Sequence, residues 1–283
     1  MRSPVEIVSR VLGELGVEAV AAEPVAGSVG NETFRVRVAG GADVFVKTGP
    51  REMLRAEWWA CRRARAAGLP APEITARQFD GESAYLLLVL IPGAPSESRE
   101  VWREAGRAMR IVHDIPVTGY GRLVVRGDDA RGTFASWAEA RDDILAAVPS
   151  LVDAAVLPSA LASAAVAACA GLRFDGPGVL LHRDLKPLHI FGQGTRLTGL
   201  LDWGDAGAGD PLFDLARLSM APAPLVREFF AGYGLTRTPE LDETLRRYRI
   251  LFNLEVLAYE YRAGGDWFEA YRRNLRSDLA IGT

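Results

Sequence analysis

The chain is nearly without lysine: of 33 basic residues, only Lys47 and Lys186 are not arginine. Lysine is therefore not a general solubilising residue here, and each of the two marks a place worth reading. Cysteine is almost as scarce. Cys61 and Cys169 stand in no CxxC or other metal-binding spacing, which argues against a disulfide framework and leaves both as packed small side chains. There is no excess of positive charge either. A net charge of −3 lacks the cations that release counterions from phosphates, so no nucleic-acid partner is expected. No apolar run reaches the ~20 residues of a membrane span. The run from Ala154 to Ala170 is rich in alanine and serine and is interrupted by Pro158, so it reads as a soluble helix and no membrane partner is expected. Residues Met1 to Glu6 show neither a continuous apolar stretch nor a cleavage pattern, and a cytoplasmic protein without a secretory leader is expected. A length of 283 residues accommodates one large domain or two lobes with an ample core.

What is present divides the chain in two. Apolar residues at Val5, Ile7, Val8, Val11, Leu12 and Leu15 follow a helical period. Strand-like runs follow at Glu23 to Ala26, Thr33 to Val38 and Ala42 to Lys47, with Gly40-Gly41 as a tight turn. A helix is predicted from Glu52 to Ala67, stopped by Gly68 and Pro70. Strands at Glu73 to Gln78 and Ala84 to Leu90, joined at Asp80-Gly81, complete a small N-terminal lobe over residues 1–91. Beyond Pro92-Gly93, residues 92–283 read as a larger, mostly helical lobe. Its helices are expected at Ser98 to Asp114, Phe134 to Val148, Pro158 to Gly171, Pro224 to Gly232 and Pro239 to Tyr261. One small hairpin interrupts them, His189 to Phe191 and Leu197 to Leu201, turning at Gly192-Gln193-Gly194.

Charged residues gather on both sides of that hairpin. The segment His182-Arg183-Asp184-Leu185-Lys186-Pro187-Leu188-His189 precedes it, and Asp202-Trp203, Gly209-Asp210-Pro211 and Asp214 follow. Because the hairpin returns the chain, Asp184 and Asp202 can face one cleft. Phosphoryl transfer requires a cation near the phosphates, ligands for a metal, and a carboxylate that orients the attacking hydroxyl. Asp184 suits the last role, Asp202 the metal, and Lys47 the phosphates. Glu57, on the helix after Lys47, is the natural partner to hold that long side chain in place. Lys186 is placed to neutralise charge on the transferring phosphoryl group. Only seven residues separate Asp202 from Asp210, which leaves no platform for a protein substrate.

These pieces, in this order, resemble the aminoglycoside phosphotransferase family, antibiotic kinases of the protein-kinase-like fold. The resemblance runs through Val44 to Lys47, Glu57, Pro70-Ala71-Pro72, Ile91-Pro92-Gly93, Gly106 to His113, His182 to His189, Asp202-Trp203 and Gly209 to Asp214. It implies a two-lobed α+β fold, ATP or GTP as donor with Mg²⁺, and a small-molecule hydroxyl as acceptor, in a monomer or weak dimer. It further implies a hinge at Leu88 to Ile91 whose backbone, at Val89 and Ile91, binds the base. Asp210 and Asp214 are implied to brace the loop, and His182 to pack behind it. Where the family most often has asparagine as second metal ligand this chain has His189, as macrolide kinases of the superfamily do. An imidazole is a poorer partner for Mg²⁺, so Mn²⁺ is a candidate ion and a non-catalytic nucleotide-binding protein stays an alternative.

The segment Ala26 to Glu32 is expected to be a phosphate flap, with Ser28 and Asn31 as contacts. His113, at a helix end, is expected to be a cap or surface residue, and Asp205 an outer group of the site. For the acceptor, Glu255, Tyr259 and Glu260 would suit an aminoglycoside-like or cationic peptide antibiotic if they face the cleft. Arginines such as Arg246, Arg262 and Arg272 pairing with these acids would instead make that helix face a solvated one. A pocket of Leu251, Phe252, Leu257 and Trp267 would favour a macrolide, and a metabolic sugar or amino-alcohol kinase is a further alternative.

Overall fold

A computed structural model describes residues 4–14, 16, 19–25, 31–39, 41, 43–80 and 84–281. Helix α1 (Pro4–Glu14) leads into the strands β1 (Ala19–Val25), β2 (Glu32–Val38) and β3 (Val44–Thr48). Helix α2 (Arg51–Ala66) intervenes before β4 (Ile74–Gln78) and β5 (Tyr85–Val89). All neighbours pair antiparallel, in the order β1-β2-β3-β5-β4. Alternation along β3 decides what each face carries. Val46 joins Val8, Leu12, Phe34, Val36 and Leu87 in a small core beneath α1. Lys47, one residue on, therefore faces the other side, where it meets Glu57 of α2. That helix stops as its sequence signals: Gly68 takes φ 80°, open to glycine, and Pro70 follows. Gly40, Gly81 and the loop 26–30 with Ser28 lie outside the described residues.

After β6 (Ala94–Pro95) come α3 (Arg99–Val112), a hairpin of β7 (Tyr120–Arg126) and β8 (Asp129–Phe134), α4 (Trp137–Ala146), α5 (Val148–Asp153) and α6 (Ser159–Cys169). Strand β9 (Val179–Leu181), a short 3₁₀ turn (Pro187–His189), β10 (Ile190–Gln193), β11 (Arg196–Leu200) and β12 (Gly207–Gly209) build the centre. Helices α7 (Leu212–Leu218), α8 (Ala223–Tyr233), α9 (Pro239–Arg262) and α10 (Phe268–Asp278) close the lobe. The fold is α+β with two lobes, and one apolar core runs from Leu54 and Leu86 of the small lobe through Trp102, Phe229 and Tyr248. Among the described residues no helix is long and apolar enough to cross a membrane.

Two glycines set the contact between α3 and α8. A Cβ on Gly106 would lie 2.1 Å from the Phe229 carbonyl oxygen, and one on Gly232 1.9 Å from that of Arg103. Neither helix can move aside without losing the Trp102–Phe229 edge-on contact. Gly106→Ala is thus expected to destabilise the protein by about 2 kcal/mol or more, read as a lowered denaturation midpoint at unchanged slope.

The β7–β8 hairpin corrects the sequence reading, which took the larger lobe as helical save for one hairpin and began a helix at Phe134. Arg126 pairs with Asp129 across the two residues Gly127-Asp128, with Gly127 at φ 60°. Gly-Asp between strand-like runs is a hairpin signal that the helical pattern around it masked. The helix that follows is capped two residues later: Ser136 accepts from Glu139 N–H at 3.2 Å and Glu139 from Ala135 N–H at 3.1 Å. Strands β8, β7, β12 and β9 then form a four-stranded sheet, which ties the hairpin to the chain on either side of the charged loops.

Candidate active site

The β10–β11 hairpin does what its sequence promised. Ile190 pairs with Leu200, and Leu201 N–H donates to the His189 carbonyl at 2.9 Å, so the two charged loops leave the hairpin side by side. Lys47 reaches from β3 to the second of them. Its Nζ lies 2.7 Å from Glu57 Oε2 and 2.8 Å from Asp202 Oδ1. Burial opposes the ammonium charge, but the two carboxylates outweigh it and hold Lys47 above its ordinary pKa. Burial likewise works against the Asp202 carboxylate, and Lys47 more than compensates, keeping it ionised.

Asp184, His189 and Asp202 each offer a ligand atom, all within 4.8 Å of one another. His189 donates from Nδ1 to the Asp184 carbonyl oxygen at 2.9 Å. Burial depresses its pKa to about 4, against the pull of Asp202 and Asp184. The neutral ring must then carry its proton on Nδ1, which leaves the Nε2 lone pair facing Asp202 Oδ2 at 3.4 Å. Two electron pairs pointed at one another are relieved by a cation between them. The residues present fit a divalent metal, and the imidazole in the set favours a softer ion than an all-oxygen site would.

The Asp184 carboxylate is flanked by cations: Lys186 Nζ at 2.6 Å from Oδ2 and Arg217 Nε at 3.3 Å from Oδ1. Arg217 was not anticipated from the sequence. The signal was its spacing, three residues after Asp214 on α7, which turns both side chains toward the same loop. Arg217 is stacked on Phe252 at 4.9 Å, which limits its freedom.

Behind the loop, Asp214 is fully buried and accepts the N–H groups of His182 and Arg183 at 2.7 Å each. It also accepts from His113 Nε2 at 3.1 Å, leaving His113 Nδ1 to accept from Tyr233 OH at 2.8 Å. His113 is the C-cap of α3, as expected of a residue at a helix end, but it is buried and a link in this brace, which corrects its reading as a surface residue. Two backbones in the charged loops are strained: Arg183 at φ 66° and Asp202 at φ 64°, a conformation that costs non-glycine residues about 1 kcal/mol or more. His182 donates from Nε2 to the Leu201 carbonyl at 2.9 Å and packs on Trp203, the structural role expected of it. Asp210 accepts from Tyr248 OH and from Leu212 N–H, bracing the start of α7.

The nucleotide-side residues divide. Asn31 is buried, and its Oδ1 has no hydrogen-bond partner. A Cβ built on Gly204 would sit 3.4 Å from Asn31 Nδ2, 3.5 Å from Glu57 Oε2 and 3.7 Å from Asp202 Oδ1, so Asn31 stands beside the Lys47 cluster. Of the expected hinge residues, Val89 donates its N–H to the Glu73 carbonyl at 2.9 Å. Ile91 lies past the last ladder pair of β5 and packs its side chain over Gly199 of β11.

Of the residues predicted for the acceptor, Glu255 borders a cavity of about 470 Å³ with Arg122, Phe134, Trp137, Arg183 and Phe213. Its carboxylate is paired with Arg183 and lies 3.8 Å from Arg122, which is itself paired with Asp205 and rests over the Tyr259 ring. Glu260 does not join them. It is 3% exposed and accepts from Trp267 N–H at 3.3 Å, bracing the turn between α9 and α10, because five residues along a helix rotate it well away from Glu255. Leu251 lines the cavity, whereas Phe252 and Leu257 are buried in the core and Trp267 is exposed.

A family model described as the phosphotransferase enzyme family matches residues 21–251, most of the chain. The chain belongs to this family. Solved structures share its fold at low identity. The aminoglycoside phosphotransferase APH(4)-Ia is 18% identical, with TM-score 0.76 over 99% of this chain and 100% of that one. A putative fructosamine-3-kinase from Thermobifida fusca YX-ER1 is 19% identical, with TM-score 0.70 over 99% and 100%. The macrolide 2'-phosphotransferase MphH from Brachybacterium faecium is 19% identical, with TM-score 0.66 over 98% and 99%. No curated protein matches the chain significantly in sequence. The phosphotransferase family and the kinase-like fold are thus established for this chain, and the acceptor is not.

Proposed function

We propose that this phosphotransferase moves the γ-phosphoryl group of ATP or GTP to a hydroxyl of a small molecule, an antibiotic being the first class to test and resistance the consequence. The observation that carries the reading is the convergence of Lys47, Glu57 and Asp202 with Asp184 and His189 from two loops and two lobes. Lys47, held by Glu57, would meet the phosphates, with Asn31 beside it. Asp184 would accept a hydrogen bond from the acceptor hydroxyl and orient it toward the phosphorus, its own position fixed by Lys186 and Arg217. Lys186 would turn to the transferring group as charge develops there. His189 and Asp202 would hold the metal, which when bound supplies charge neutralisation at the phosphates. A built ligand set of this kind supports turnover over nucleotide binding alone.

Among acceptors, the cavity supports an amphipathic molecule. Of its carboxylates, Glu255 is matched by arginines and Asp210 by Tyr248 OH and Leu212 N–H, Glu260 is turned away, and the exposed Asp143 is the lining acid left to meet a cation, too few for a polycation. Phe134, Trp137, Phe213 and Leu251 supply an apolar wall. A macrolide-like alcohol follows from this, and His189 supports it. The aminoglycoside reading is kept as the second, on the likeness to APH(4)-Ia, one of whose structures is a ternary complex with ADP and hygromycin B. The test is a coupled nucleotide-consumption assay with both nucleotides against macrolide, aminoglycoside and peptide antibiotics, with a phosphate-sized mass gain on the product as proof. Silence with every acceptor would remove the antibiotic reading. In the same assay His189→Asn is expected to raise the Mg²⁺-supported rate relative to the Mn²⁺-supported one by about tenfold or less; an unchanged ratio would mean that His189 does not touch the ion.

A further inference from the structure

Glu57 is useful only if α2 keeps it against Lys47, and α2 lies across the sheet on the far side from α1. Trp59 is two residues beyond Glu57, about 200° round the helix, and so looks away from the lysine. It looks toward the tip of the β7–β8 hairpin. The buried indole donates from Nε1 to the Asp128 carbonyl oxygen at 2.8 Å, and Arg62, one turn along from Trp59, pairs with the Asp128 carboxylate. Arg63 covers the Trp59 ring at 5.2 Å. At its other end the hairpin is tied to the Asp202 loop: Leu123 N–H donates to the Ala206 carbonyl at 3.1 Å, Gly207 and Ala208 pair with Arg122 and Gly121, and Arg122 pairs with Asp205.

We propose that the β7–β8 hairpin is the strut that fixes Glu57 against Lys47, with Trp59 and Asp128 as positioning residues. It joins the back of α2 to the loop that carries Asp202, so that one element sets the distance between the two carboxylates that share the lysine. Seven residues between Asp202 and Asp210 leave too little chain for a mobile segment to do this, and a hydrogen-bonded hairpin does it without an effector. The site is therefore assembled before nucleotide arrives. The inference rests on the reading of Lys47 and Glu57 as the phosphate-positioning pair, and a part of its test is independent of that reading.

The two cysteines provide the measurement. Both are buried, Cys61 on α2 one turn after Glu57 and Cys169 on α6 in the other lobe. Release of α2 exposes only the first, whereas global unfolding exposes both. In Trp59→Phe, which keeps a ring but removes the N–H donor, N-ethylmaleimide labelling of Cys61 is expected to quicken about five- to tenfold, the equivalent of one lost hydrogen bond, with Cys169 within about twofold of the wild type. The dissociation constant for AMP-PNP should rise by a similar factor. In a Glu57→Ala background the same change should add nothing, since there is no longer a carboxylate to position. Parallel quickening of both cysteines, unchanged labelling, or additive effects on AMP-PNP binding would each overturn the proposal. Asp128→Ala, at an exposed side chain that folding does not depend on, should quicken Cys61 alone by about twofold; if Trp59→Phe does not fold, no change in this variant overturns the proposal. Wild-type protein that binds no AMP-PNP would instead remove the Lys47–Glu57 reading, while the labelling would still report whether the hairpin holds α2.

Discussion

Asp184→Asn is expected to lower kcat for phosphoryl transfer by about 10²- to 10⁴-fold, the usual contribution of a positioned proton acceptor. The change keeps the shape of the side chain and removes its charge. Lys186 and Arg217 then face an amide in place of the carboxylate they flank, and the acceptor hydroxyl loses the group that orients it. Nucleotide affinity should be unchanged or slightly tighter, because a negative charge has been taken away from the space where the γ-phosphate would lie. Calorimetry with AMP-PNP and single-turnover transfer on the same preparations separate the two effects. Loss of binding and turnover together would mean that Asp184 holds the phosphates or the fold, and the role proposed for it would be withdrawn.

Asp214→Ala is expected to be the most destabilising single change at the site, by about 3–5 kcal/mol, because it leaves two buried N–H groups and His113 without their acceptor. For a chain of this size that corresponds to a fall in Tm of the order of 10 °C. Turnover should fall as well, since the backbone of the loop that carries Asp184 then loses two of its anchors. The pH dependence has a definite sign. Burial opposes the charge on Asp214, but the hydrogen bonds from His113 and from the loop N–H groups outweigh it, and the folded-state pKa lies below the ordinary carboxylate value of about 3.9. Its contribution is therefore complete above about pH 4 and is lost as the pH falls through the folded value. Thermal melts from pH 3 to 7 should show wild type and Asp214→Asn converging only at the acid end. A constant gap across that range would assign the stabilisation to packing and not to the charge.

Much of the small lobe could be read directly, and for a local reason. Strand β2 alternates, β3 and β5 are short apolar runs, α2 has a period of 3.6 with Gly68 as its stop, and Lys47 sits near the end of a run that pairs with β5 whatever the larger lobe does. The hairpin between His189 and Asp202 was equally legible, because its turn residues and its length decide the geometry without help from distant contacts. The β7–β8 hairpin carried a signal of the same kind at Gly127-Asp128, but the helical patterns on both sides concealed it. Where a group's role depends on a partner far along the chain, the reading failed or stayed open. His113 became a buried brace because Tyr233 and Asp214 surround it, and Glu260 left the acceptor side because α10 folds back onto it.

The sequence by itself determined the family and the two-lobed fold, because both are written as short motifs whose local geometry is nearly independent of the rest. Only the tertiary structure decided which charges are left for a ligand. An arginine and a carboxylate look the same in sequence whether paired or open. Here Arg183 and Arg122 take up Glu255, and Arg217 reaches Asp184, because folding brings together residues 72, 133 and 33 positions apart. That neutralisation is a property of the packed chain, and it leaves the cavity beside Glu255 less acidic than its residue types alone suggest.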